Sequence, residues 1–120
     1  MLSDAIKIES IQKNENQILV SFTLHIESSV FKGHFPDRPV LPGVLQLQLL
    51  KVVLEKELQL SLILKESANI KYLIPIVPEY SDAFSMQITY GNSDNQIKAE
   101  AVIRNQDQVF TKMNCLYAES

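Results

Sequence analysis

FKGHFPDRPVLPGVLQLQLL, residues 31–50, is the stretch whose reading decides the fold of this chain. Its first half carries Gly33, His34, Pro36, Pro39, Pro42 and Gly43, a density of backbone constraint that holds an imidazole in a defined place. Its second half opens directly into an apolar run. Pro42 suits the first helical turn, where its missing N–H would have no partner in any case, and the spacing predicts a helix from about residue 42 to about 59. Val44, Leu45, Leu47, Leu49, Leu50, Val52, Val53, Leu54 and Leu58 cover most of its circumference, so the helix is expected to be wrapped by other structure.

Working outward, residues 5–11 alternate Ile6 and Ile8 with Lys7 and Glu9, and residues 18–26 put Ile18, Val20, Phe22, Leu24 and Ile26 on one face. Lys13-Asn14-Glu15-Asn16 reads as the turn that joins them into a hairpin. His25 falls on the more polar face of the second strand and reads as an ordinary sheet residue. Beyond the helix, alternating segments at 68–74, 83–90, 97–104 and 109–118 are separated by Pro75 and Pro78, by Gly91 to Asn95, and by Asn105-Gln106-Asp107. The last three predict an antiparallel meander. Two strands, one helix and four strands make an α+β single layer, whose sheet edges and open helix side call for a symmetric partner.

A length of 120 residues suits one domain, 1–120, with hydrophobic residues at 46% and charged residues at 21%, values of a globular protein. A net charge of -3 without a basic run argues against nucleic acid as a partner. The apolar run is broken by Pro42, Gln46, Gln48 and Lys51, so no membrane span is expected, and the N-terminus lacks the apolar core of a signal peptide. A cytoplasmic location is the expectation. Cys115 is the single cysteine and no zinc-type spacing occurs, so neither metal nor cofactor is expected.

Three residues of the opening stretch can carry chemistry. Imidazole, with an ordinary pKa of about 6.5, makes His34 a natural general base, while a loop histidine bonded to nearby backbone would look the same. Gly43 leaves the amides of a helix start open to a ligand oxygen that gains negative charge, and a glycine kept for turn geometry reads equally well. Gln48, with Val44, Leu45 and Val52 as helical neighbours, lines a polar pocket or meets a backbone group across a dimer contact. Lys51 falls near the same face.

The sixteen residues GHFPDRPVLPGVLQLQ, 33–48, resemble the 3-hydroxyacyl-acyl-carrier-protein dehydratases of bacterial fatty-acid synthesis, whose hallmark is GHFP, a short spacer, P-x-x-PG-V-L and then an acid in the helix. The resemblance implies the hot-dog fold, an antiparallel six-stranded sheet wrapped around one long central helix, paired into a dimer with two active sites at the interface. It implies that His34 removes the C2 proton of the acyl thioester and that the Gly43 N–H holds the thioester carbonyl. It puts Gln48 where the family carries the acid that helps the C3 hydroxyl leave. A neutral amide can bond a hydroxyl or hold a water, but it cannot exchange a proton with the leaving group, and losing a general acid costs about 10²- to 10⁴-fold in rate.

Three functions follow from this resemblance: a working dehydratase, the acid-less subunit of a heterodimeric one, or a thioesterase or non-catalytic acyl-carrier binding module of the same fold. Thioesterases of the fold use a carboxylate near the helix, and Asp37, Glu55 and Glu57 are not obviously placed for that. Phe35, Pro42 and Val44 are expected to line the substrate. Lys32 and Arg38 flank His34 and offer a local positive rim to an acidic acyl carrier protein. The expected ligand is an acyl-carrier-protein or acyl-CoA thioester, and the expected assembly a homodimer or a heterodimer.

Overall fold

In the computed structural model residues 2–25, 27–33, 40–77 and 83–120 are described. A short helix α1 (Leu2–Ala5) leads into β1 (Ile6–Asn14) and β2 (Gln17–Leu24). Helices α2 (Ser29–Gly33) and α3 (Gly43–Leu58) follow, then β3 (Leu62–Tyr72), β4 (Phe84–Ser93), β5 (Gln96–Asn105) and β6 (Gln108–Glu119). The six strands form one sheet in the order β1-β2-β4-β5-β6-β3, and every neighbouring pair is antiparallel.

The alternation that predicted the strands is what fills the core. Ile18, Val20 and Phe22 of β2 face inward beside Phe84, Met86 and Ile88 of β4 and Ile97, Ala99, Ala101 and Ile103 of β5. Phe84 stacks on Phe22 at 5.6 Å between ring centres and meets Phe110 edge-on at 5.4 Å, which ties β2, β4 and β6 together. Against this face lie Leu45, Leu49, Leu50, Val53 and Leu54 of α3, each buried side chain contributing about 1.5–3 kcal/mol. The meander turns sharply at Asp94 and Asn95, whose φ of 53° and 62° are the pair of left-handed conformations that a two-residue hairpin loop takes.

Three expectations need correction. Helix α3 spans 16 residues and is joined by the two short helices α1 and α2, so it is not the chain's single helix. It is also not wrapped all round, since the sheet covers one side and Val44 is left 69% exposed. The strand predicted at 68–74 runs instead from Leu62 to Tyr72. That strand is an edge, nearly all of it is exposed, and its register with β6 shifts at Leu64/Glu66 and again at Ser67/Asn69. A bulged edge strand shows no clean alternation to read.

The ends of α3 are shorter by one residue each than the sequence predicts. Pro42 is the N-cap, with φ -61° and ψ 144°, and Gln59 closes the helix in the left-handed conformation at φ 54°. The Glu55 carboxylate accepts the Leu62 N–H at 2.8 Å and so fixes where β3 begins. Among the described residues no helix is long and apolar enough to cross a membrane.

Candidate active site at the start of helix α3

Three separated segments are laced together where α3 begins. The Leu41 N–H donates to the Ile76 carbonyl at 2.7 Å, tying the approach to α3 onto the chain that follows β3. The N–H groups of Leu73 and Ile74 donate to the Phe110 carbonyl at 2.8 and 3.2 Å, tying that same chain to β6. The third link is a side chain. Gln46, 3% exposed, donates from Nε2 to the Leu41 carbonyl at 3.2 Å and accepts at Oε1 the hydroxyl of buried Thr111 at 2.6 Å.

Gly43 sits on this frame as the first residue of α3. Its φ is not positive, so the turn does not require a glycine. A Cβ built there would fall onto the phenol end of Tyr72, 2.6 Å from Cζ, 3.0 Å from Cε1 and nearest to the hydroxyl, so a side chain at 43 requires that phenol to move. The Leu45 and Gln46 N–H groups bond back to the Pro42 carbonyl, whereas among the described residues no partner takes the N–H groups of Gly43 and Val44. Two amides at the positive end of a helix dipole can hold a carbonyl oxygen and stabilise charge that develops on it.

Gln48 and Val44 are both exposed and share the uncovered face of α3, Gln48 lying about 6 Å further along the axis. Pro42 is half-buried at the cap. His34, Phe35 and Arg38 lie outside the described residues, as does the side chain of Lys32, whose backbone belongs to α2. The structure thus brings Pro42, Gly43, Val44 and Gln48 onto one helix end and does not speak to the other four. His25 is exposed just past β2, with its N–H donated to the Ala5 carbonyl.

Reading the sequence missed Gln46, Thr111 and Tyr72. Gln46 is visible only as a break in an apolar run, two residues from an equally polar Gln48, and nothing local says which of them is buried. Tyr72 reaches Gly43 across 29 positions of chain, through tertiary packing alone. Burial pushes the Tyr72 phenol above its ordinary value, with Cys115 adding to the effect, so it remains a protonated donor at neutral pH. Cys115 and Tyr117 behind the helix are likewise pushed up by burial.

Among the described residues no group of three or more His, Cys, Asp or Glu is placed to hold a metal ion. A cavity of about 390 Å³ lined by Leu2, Ser3, Ile6, Ile8 and Val52 opens beside the middle of α3. A larger one of about 420 Å³, with Glu66, Lys98, Asn114 and Leu116 in its wall, includes no residue of the α3 start.

The family model described as ApeI dehydratase matches residues 10–114, most of the chain and all of the elements that build this helix end. The chain belongs to the ApeI-like family. The fold of this ApeI-like chain recurs in solved structures that differ widely in sequence. The dehydratase heterocomplex ApeI:P from Xenorhabdus doucetiae matches with a TM-score of 0.77 at 17% identity, over 93% of this chain and 96% of that one. The PaaI protein of the Escherichia coli phenylacetic acid degradation operon gives 0.68 at 15%, over 96% and 79%. The smu.793 protein of Streptococcus mutans, solved bound to acetyl CoA, gives 0.68 at 12%, over 96% and 88%. At these identities the likeness is one of fold, the hot-dog fold. No curated protein sequence matches the chain.

Proposed function

We propose that this ApeI-like protein removes water from 3-hydroxyacyl thioesters. The observation that carries the reading is the family match across residues 10–114, which includes the GHFP segment and the helix start at Gly43. In this reading the thioester carbonyl accepts the Gly43 N–H, and His34 takes the C2 proton while the carbonyl oxygen gains charge. The electron pair then forms the C2–C3 double bond, and the C3–O bond breaks. The hydroxide that leaves takes up a proton from the imidazolium of His34, directly or through a water held by Gln48, and departs as water. The substrate's carrier is acyl carrier protein or coenzyme A, with Lys32 and Arg38 supplying positive charge beside the entrance.

The open face of α3 and the edge strand β3, with Ile63 and Leu64 exposed, support pairing with a second subunit. A second reading has its own support: position 48 is an amide on an open helix face, and a similar fold is solved as a dehydratase heterocomplex. There this chain supplies His34 and Gly43 to a site whose acid comes from a related subunit.

Hydration of a crotonyl or longer enoyl thioester, followed at the enoyl absorbance, tests both. His34→Ala is expected to abolish turnover with the fold intact, and full activity in that variant would sink the dehydratase reading. Gln48→Glu is expected to raise activity if the missing acid limits the rate. Mass measurement of the chain alone separates a self-sufficient homodimer from a subunit that needs another, and capture of acylated carrier protein without turnover would leave only a binding module.

A further inference from the structure

We propose that the Tyr72 hydroxyl is the second hydrogen-bond donor to the acyl carbonyl held at Gly43; this rests on the reading of Gly43 as the carbonyl site. The phenol end of Tyr72 occupies the space where a Cβ on residue 43 would be, which places its hydroxyl beside the residue that presents the free amides. One chain of contacts ties its backbone to the helix. Tyr72 ends β3 in register with Thr111 of β6, and Thr111 in turn donates to Gln46 in the first turn of α3.

The backbone that carries the phenol is therefore placed relative to α3 through Thr111. Among the described residues the Tyr72 hydroxyl has no hydrogen-bond partner, and the residue is 51% exposed, so the hydroxyl is left to donate to a ligand held at Gly43. A carbonyl oxygen has two lone pairs, and an amide N–H and a phenol O–H approaching from different sides satisfy both. Such a pair stabilises the enolate more than the neutral carbonyl, because hydrogen bonds strengthen as the acceptor becomes charged. A tyrosine that merely packs over the glycine would need its ring and not its hydroxyl. That difference can be measured.

The test compares wild type with Tyr72→Phe, which keeps the ring, using butyryl-pantetheine and its S-butyl thioether, identical but for the carbonyl. Neither probe can undergo hydration, so binding is read without turnover, and crotonyl-pantetheine hydration is read separately. Wild type is expected to prefer the thioester. Tyr72→Phe is expected to bind the thioester roughly three- to tenfold more weakly, as for one lost hydrogen bond, with thioether affinity and melting temperature unchanged. Its hydration kcat is expected to fall on the order of 100- to 1,000-fold. If Tyr72→Phe matches wild type on both probes, the proposal is overturned while the Gly43 site stands. If the wild type hydrates nothing but its thioester preference exists and is lost in Tyr72→Phe, the dehydratase reading falls and the Tyr72 proposal holds. A wild type that binds both probes equally, or neither, overturns the carbonyl site and Tyr72 together.

Discussion

Two glutamines stand two residues apart in α3 and occupy opposite surroundings. Gln46 faces the sheet, is buried, and has both ends of its amide bonded, to the Leu41 carbonyl and to Thr111. Gln48 faces away, is exposed, and lies beside exposed Val44 on the uncovered side. The first is a fastener between the start of α3 and β6, and the second is open to solvent. In a helix this short of polar residues, the same side chain is buried in the frame or left open according to a rotation of about 200° around the axis.

The largest effect expected from this contrast is at Gln46. Gln46→Ala leaves the Leu41 carbonyl and the Thr111 hydroxyl without their partner and opens a void, and a loss of roughly 2–4 kcal/mol in denaturant unfolding is expected. A loss below about 1 kcal/mol would mean that the frame does not depend on this amide.

Gly43 lies between the two faces and comes next. Gly43→Ala drives a methyl into Tyr72, at an expected cost of about 1–3 kcal/mol. Tyr72→Ala added to it is expected to recover most of that cost, and Tyr72→Phe very little, because Cζ at 2.6 Å remains. Recovery by Phe would show that the hydroxyl alone sets the clash.

Beneath the closed face, Cys115 and Tyr117 add a pH signature. Each is neutral when protonated, and in the fold each has its pKa raised, chiefly by burial. The folded chain therefore keeps protons that the unfolded chain releases. Stability is fully present below the ordinary values of 9.0 and 10.0 and is lost as pH rises past them. Denaturant midpoints are expected to hold steady to about pH 8 and to fall above about pH 9, and Cys115→Ala is expected to postpone the fall. A midpoint that rises with pH would contradict the assignment.

The smallest effect is at Gln48. Gln48→Ala is expected to change unfolding of the isolated chain by less than about 0.5 kcal/mol, as exposed substitutions do, while altering turnover or subunit pairing. A stability loss matching that of Gln46→Ala would erase the distinction between the two faces.

Much of the fold was legible because period-two alternation survives wherever a strand has one buried face, as in β2, β4 and β5. It failed in β3, where a bulged edge leaves almost every residue exposed and no pattern records the pairing. The site was legible in part. The motif marked Pro42, Gly43, Val44 and Gln48, all of which the structure gathers at one helix end, while His34, Phe35 and Arg38 lie outside the described residues.

By itself the sequence determined β1, β2, β4, β5, β6 and α3, where α3 starts and that position 48 is an amide, since these follow from local period, local backbone constraint and residue identity. Only the tertiary structure decided which glutamine is buried, and what stands over Gly43. Both answers depend on groups far away along the chain, Thr111 for Gln46 and Tyr72 for Gly43, which meet the helix only after the sheet has closed against it.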